Sequence, residues 1–169
     1  TSSTNVSCQD GANGAIDITP WGGTPGYTYL WSDGPSTQDR TSLAAGTYVV
    51  TVTDANACTA TRSVTITEPA ILALTTAKTD PTCPPGSTPP LNSDGAIDLT
   101  VTGGTSPYTY NWTTMNGSGL VPASQDQTGL IAGTYSVTVT DNKACTASTS
   151  VTLTYLNPNP VQPGAINHN

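Results

Sequence analysis

The feature that most constrains this chain of 169 residues is an internal repeat. The segment Gly14–Thr19 returns as Gly95–Thr100 at an offset of 81 residues, and Leu43–Tyr48 returns as Leu130–Tyr135 at an offset of 87. The offset grows because the second copy carries additional residues between these segments. Self-similarity of this kind predicts two copies of one folding unit rather than a single larger fold.

The repeat also sets the predicted domain boundaries. We expect a first repeat over residues 1–69, a second over 70–156, and an extended tail over 157–169. Aligning Cys8 with Cys83 places Thr1 opposite Thr76, so the first repeat lacks counterparts of residues 70–75 and its first strand is predicted to be truncated. By the offset of 87, the tail 157–169 stands opposite 70–82, the position of that strand.

Apolar residues alternate with polar ones in short runs throughout both repeats. Ile16 and Ile18 share one face of a strand, as do Tyr48, Val50 and Val52. Period-two patterning interrupted by Gly and Pro is typical of β-sandwiches. The fold class is therefore predicted as all-β, with two tandem immunoglobulin- or fibronectin-III-like sandwiches. The Leu-x-x-Gly-Thr-Tyr segments, which end at Tyr48 and Tyr135, predict a tyrosine corner in each.

The four cysteines allow three pairings on paper. Repeat symmetry favours one disulfide inside each domain, Cys8–Cys58 and Cys83–Cys145, and such a bond would help a small core that contains no Phe. Pairing between the domains is the alternative, and it would have to span their junction. Either arrangement predicts an oxidising, extracellular compartment.

The repeated string resembles a known family. It is similar to the SprB-type repeat in the order of its motifs, which are Gly-Ala-Ile-Asp, Gly-Gly-Thr, Tyr-x-Tyr-x-Trp and then Gly-Thr-Tyr before an Asp-x-x-x-Cys hairpin. That family occurs in large surface adhesins of Bacteroidota, including gliding-motility adhesins. The resemblance implies an immunoglobulin-like module of a secreted or cell-surface protein. The family often has Gly before the last Cys, where this chain has Ala57 and Ala144.

Composition excludes several classes of function. Four basic residues against eleven acidic ones cannot build a nucleic-acid footprint. No apolar run is long enough to cross a membrane, so no membrane insertion is expected. His168 lies in the polar tail, and Asp17 and Asp98 are predicted to face outward, so neither supplies a catalytic constellation. We therefore predict no enzymatic activity and no catalytic residues.

Two further groups of residues are candidates for binding. Asp10, Asn13, Asp54, Asp94 and Asp141 are oxygen ligands in turns, which makes calcium the metal to consider, although each turn offers too few carboxylates for a complete site. No cofactor is therefore expected, and turn formation is the simpler role of these side chains.

Trp21 and Leu30 are predicted to point outward, at positions held by Thr102 and Asn111 in the second repeat. They are candidates for contact with another subunit, and Trp21 also for stacking on surface glycans.

The tail completes the functional hypothesis. Its apolar residues Val161, Ala165 and Ile166 are candidate anchors for pairing with the incomplete first repeat of a second copy. Head-to-tail exchange of this kind makes a filament with the chain itself as its partner. The objection is that Pro158, Pro160 and Pro163 cannot donate to a strand ladder. The alternative function is a two-repeat segment of a large cell-surface adhesin, partnered by neighbouring repeats, and a carbohydrate-binding module is the third reading.

Overall fold

The structure, a computed structural model, describes residues 1–83 and 92–156. Those ranges contain twelve β-strands, six in each repeat. The strands of the first repeat are β1 (Ser2–Thr4), β2 (Gly14–Asp17), β3 (Thr28–Trp31), β4 (Arg40–Leu43), β5 (Gly46–Thr53) and β6 (Thr59–Ile66). The strands of the second repeat are β7 (Ala73–Thr79), β8 (Gly95–Thr102), β9 (Thr109–Met115), β10 (Gln127–Leu130), β11 (Gly133–Thr140) and β12 (Thr146–Leu153).

Each repeat forms two antiparallel sheets of three strands. The orders are β1-β2-β4 and β3-β5-β6 in the first repeat, and β7-β8-β10 and β9-β11-β12 in the second. These pairings reproduce the A-B-E and C-F-G sheets of immunoglobulin-like sandwiches. The predicted all-β, immunoglobulin-like fold class is therefore confirmed for both repeats. The described chain separates into two compact units, of which the first comprises Thr1–Ile71 with Gly103–Thr105 and the second comprises the remainder.

Each unit has its own apolar core between its two sheets. Alternation places every second residue of a strand inward, so both sheets contribute to each core. The first core contains Val6, Ile16, Ile18, Trp31, Leu43, Val50 and Ile66. The second contains Ile97, Leu99, Trp112, Leu130, Tyr135, Val137, Val139, Val151 and Leu153. Each buried Trp is satisfied, because its indole N–H donates to the carbonyl of Thr37 or Ser124.

The predicted tyrosine corners are present. Tyr48 donates its hydroxyl hydrogen to the carbonyl of Ala44 at 3.0 Å, and Tyr135 donates to the carbonyl of Ile131 at 2.7 Å. In each case the tyrosine stands near the start of its strand and bonds the backbone of the loop that precedes it. These bonds fix the turn into β5 and β11, the central strands of their sheets.

The two ends of each unit carry different loops. The hairpin end holds the turn between the last two strands, residues 54–58 in the first unit and 141–145 in the second. The exit end is where the last strand finishes, at Ile66 and at Leu153. Since the last strand has eight residues, the two ends lie roughly 24 Å apart.

The predicted pairings Cys8–Cys58 and Cys83–Cys145 are wrong. Cys58 and Cys83 are free, whereas Cys8 and Cys145 are disulfide-bonded. The physical reason is that the two cysteines of a repeat occupy opposite ends of its unit, while a disulfide requires Cα atoms within about 7 Å.

Hydrogen bonds locate each cysteine at its end. In the first unit the loop that carries Cys8 is held at the exit end, where the Val6 amide donates to the Thr67 carbonyl and the Asp10 amide to the Glu68 carboxylate. Cys58 immediately precedes the start of β6 at the hairpin end. In the second unit the Cys83 amide donates to the Leu156 carbonyl at the exit end, and Cys145 immediately precedes β12 at the hairpin end.

Candidate functional site

A groove of about 640 Å³ opens at the hairpin end of the first unit. Its apolar wall comes from both sheets and includes Ile18, Val52 and Tyr27, while its rim carries Trp21, Cys58 and Arg62. The groove exists because β1 has only three residues and its pairing with β2 covers only Ala15 to Asp17. The edge of the sheet beyond Asp17 and the inner face of β6 are therefore left open at this end.

The second unit shows what occupies the same place when the first strand is longer. There β7 has seven residues and pairs with β8 from Ala96 to Thr102. Leu74, opposite Val101 in this ladder, packs against the core. As a result Val139 is fully buried, whereas its counterpart Val52 is only partly buried.

The Gly-Gly-Thr loop also differs between the two repeats in how closely other backbone approaches it. A side chain placed at Gly103 would meet the backbone carbonyl of Ile71, and the Gly104 amide donates to the carbonyl of Ala70 at 2.9 Å. A side chain placed at Gly22, the equivalent of Gly103, would meet nothing within 4 Å. The same loop is thus covered by chain in one repeat and bare in the other.

Asp54 holds the bare loop in shape. Its carboxylate accepts hydrogen bonds from the amides of Thr24 (2.9 Å), Asn56 (2.9 Å) and Cys58 (2.8 Å). These bonds, the one from Thr24 first, hold the pKa of Asp54 below its usual range. Tyr27 adds a bond from its hydroxyl to the Gly22 carbonyl. The groove rim is therefore tied together by bonds that do not depend on an occupant.

The sequence-predicted contact residues fall into two groups. Trp21 lies on the groove rim with 94% of its surface exposed, and Leu30 is 60% exposed on the outer face of β3 beside Val49. The structure does not bring these two together at one site. Val161, Ala165 and Ile166 lie outside the described residues.

The calcium candidates of the first unit lie at its opposite ends. Asp10 and Asn13 lie at the exit end of the first unit, and Asp54 lies at its hairpin end. Asp94 accepts bonds from the hydroxyl and then the backbone amide of Thr82, which hold its pKa below the usual range. Asp141 accepts from the amides of Lys143 and Cys145. Among residues 1–83 and 92–156, no three His, Cys, Asp or Glu side chains cluster as metal ligands. Turn formation accounts for the carboxylates that accept these bonds.

Sequence reasoning missed one repeated pair of side chains. Asp39 accepts from the Ile18 amide and Gln38 donates to the Ile18 carbonyl, which extends the edge of β2 toward the groove. Asp126 and Gln125 do the same for Leu99. The signal was available, because the Gln-Asp dipeptide recurs at the offset of 87.

Comparison with known proteins agrees with the repeat assignment. The SprB repeat family matches residues 1–36 and 91–117, once in each repeat, so the predicted resemblance is confirmed for both copies. SprB repeats occur in cell-surface proteins, and the matches support a cell-surface, adhesin-like repeat segment.

Other comparisons add little. No curated protein matches the chain significantly. A solved structure of an amphioxus IgVJ-C2 molecule is similar over 88% of this chain and 99% of its own, at 17% identity and a TM-score of 0.42. The fold assignment rests on the strand pairing and not on that likeness. In the part of the chain that the structure describes, no helix is long and apolar enough to cross a membrane.

Proposed function

We propose that this chain is a non-enzymatic, extracellular structural protein whose copies join head to tail into a bacterial surface filament. The tail of one copy, residues 157–169, occupies the groove at the hairpin end of the next copy. The observation that carries the proposal is the difference between Gly22 and Gly103, which are bare and covered respectively in otherwise equivalent loops.

Register supports the tail as the occupant. Offset by 87, residues 157–162 stand opposite 70–75, the segment that covers the loop in the second repeat. Val161 then takes the position of Leu74, which packs against the core of its own unit. Leu156, the last described residue before the tail, donates its amide hydrogen to the Pro81 carbonyl at the exit end, opposite the hairpin of the second unit. That position suits a head-to-tail contact, which does not close on itself.

The prolines of the tail are compatible with this role. The contacts that cover the Gly-Gly-Thr loop in the second repeat are made by the carbonyls of Ala70 and Ile71. Pro158 stands opposite Ile71 and keeps its carbonyl, although it has no amide hydrogen. The equivalent position in the second repeat contacts the loop through its carbonyl, so the missing amide hydrogen of Pro158 does not remove that contact.

The test compares the intact chain with two variants, a Val161→Asp chain and a chain that ends at residue 156. We expect the intact chain to sediment as concentration-dependent polymers and to form filaments in electron micrographs, and both variants to remain monomers. In this register Val161 stands opposite Pro20, the counterpart of Val101, and burying a carboxylate in the groove there would oppose docking. Asn167→Asp adds the same charge beyond the register of residues 70–75, is the matched control and should weaken assembly less.

Binding of the tail is measured separately on the chain that ends at residue 156. A peptide of residues 157–169 should shift the fluorescence of Trp21, which lies on the groove rim, while Trp31 and Trp112 are buried and should not respond. A Trp21→Ala chain should lose the signal. Monomers from all chains, together with no peptide binding, would contradict the filament. That result would favour the alternative, a segment of a longer adhesin whose adjoining repeat fills the groove.

A further inference from the structure

Two cysteines remain as thiols at sites that the proposed contact would bring together. Cys58 is exposed and lines the groove at the hairpin end of the first unit. Cys83 is partly exposed at the exit end of the second unit, where its amide donates to the Leu156 carbonyl at 3.1 Å. Neither thiol can reach the other cysteine of its own repeat, because each repeat holds its cysteines at opposite ends.

The counterparts of these two thiols in the other repeat are disulfide-bonded. Cys8 is the counterpart of Cys83, and Cys145 is the counterpart of Cys58. The exit-end cysteine is thus oxidised in the first repeat and a thiol in the second. The hairpin-end cysteine is a thiol in the first repeat and oxidised in the second.

We propose that Cys83 of one copy forms a disulfide with Cys58 of the next copy, which makes the filament covalent. The inference rests on the proposed function, because docking of the tail supplies the proximity. Asn157 stands opposite Ala70 in the register, so on docking it would lie at the Gly22–Gly23 loop of the next copy. Asn157 directly follows Leu156, whose carbonyl accepts the bond from the Cys83 amide, so docking would bring Cys83 close to that loop. That loop contacts the hairpin that ends at Cys58, since Asp54 bonds both Thr24 and Cys58.

The bond forms by thiol–disulfide exchange with a small-molecule or protein disulfide as the oxidant. The Cys83 thiolate attacks one oxidant sulfur, forms a mixed disulfide and releases the first oxidant thiolate. The Cys58 thiolate of the next copy then attacks the Cys83 sulfur and releases the second. Two cysteine thiols lose two electrons and two protons, and the oxidant disulfide is reduced to two thiols.

The test mixes two full-length variants, Cys58→Ser and Cys83→Ser, with oxidised glutathione. Only Cys83 of the first and Cys58 of the second can form the proposed bond. Random pairing gives twice as much mixed dimer as each homodimer, whereas docking raises the local thiol concentration and should give an excess of at least about tenfold. A size tag on one variant identifies the mixed dimer on non-reducing gels, and mass spectrometry should find the Cys58–Cys83 peptide. The wild-type chain should form a ladder that a reductant collapses.

The outcomes separate the bond from the filament. Polymers in reductant without an excess of mixed dimer would overturn the disulfide and leave the filament intact. Absence of both would overturn both. Adding Val161→Asp to each variant should abolish the excess if the tail brings the thiols together. An excess that survives Val161→Asp would overturn the tail-docking route by which the bond is proposed to form.

Discussion

The hairpin ends of the two repeats are nearly the same in sequence but present different surfaces. In the second repeat, residues 70–74 run over the Gly-Gly-Thr loop and place Leu74 on the core. In the first, β1 pairs with β2 only as far as Asp17, and a groove remains beside Val52. The difference shows that the segment before a repeat is part of its sandwich. In the second repeat the segment that links it to the first therefore also begins the first strand of its sandwich.

The largest effect we expect comes from deleting apolar contacts at this end. Val139→Ala should lower the free energy of unfolding of the second unit by about 2 kcal/mol, because its side chain is fully buried. Val52→Ala should cost about half as much, since the groove already exposes that side chain. Hydrogen exchange of strand amides reports on each unit separately and checks both values. Equal costs would mean that the groove is not open in solution.

A second comparison uses the tyrosine corners. Tyr135 is fully buried, and its hydroxyl contacts the Ile131 carbonyl together with the amide and carbonyl of Ser118. Tyr48 is only partly buried and bonds the Ala44 carbonyl. Tyr135→Phe should therefore cost about 1.5 kcal/mol and Tyr48→Phe about 0.5–1 kcal/mol. Denaturation curves of the two variants against the parent give the difference, and a larger cost for Tyr48→Phe would contradict it.

Acid should loosen the bare loop. The hydrogen bonds from Thr24, Cys58 and Asn56 lower the pKa of Asp54 in the folded state. The carboxylate therefore contributes stability above its unfolded-state pKa of about 3.9, and that contribution is lost as the pH falls through the lower folded-state value. In the Asp54→Asn chain this part of the acid dependence should disappear, as measured by unfolding across that pH window. Lys78 donates its hydrogen bonds to Asp80 and the Thr152 carbonyl rather than to Asp54, so Lys78→Gln is a control that should leave the Asp54 contribution unchanged.

The smallest effect we expect is on stability, from glycine substitutions in the two hairpins, and it should be the same in both repeats. Ala57 and Ala144 adopt left-handed backbone conformations, with φ of 63° and 65°. The cost of that conformation for a residue with a Cβ exceeds the entropy cost of glycine, so Ala57→Gly and Ala144→Gly should each stabilise by about 0.5–1 kcal/mol. Thermal unfolding checks the gain. A gain in one repeat alone would show that the hairpins differ despite their matching geometry.

Most of the architecture could be read from local patterns. Period-two alternation identified the strands around Ile16, Val50 and Val137, because inward and outward positions follow from the pleat alone. The Leu-x-x-Gly-Thr-Tyr segment predicted a bond that spans four residues, from Tyr48 to Ala44. The outward position of Trp21 followed from the inward alternation of Ile16 and Ile18, and its counterpart Thr102 showed that it is not part of the shared core. Features of this kind depend on neighbours in sequence or on comparison of the repeats.

The sequence by itself therefore determined the repeat, the sandwich strands, the tyrosine corners and the exposed Trp21. Only the tertiary structure decided which end of a unit each cysteine occupies and where the groove opens. Repeat symmetry is compatible with a Cys8–Cys58 disulfide, but in the folded unit the length of an eight-residue strand separates the two cysteines. Disulfide formation depends on distance between Cα atoms, and that distance is set by how strands pack and where their loops return, which no local pattern encodes.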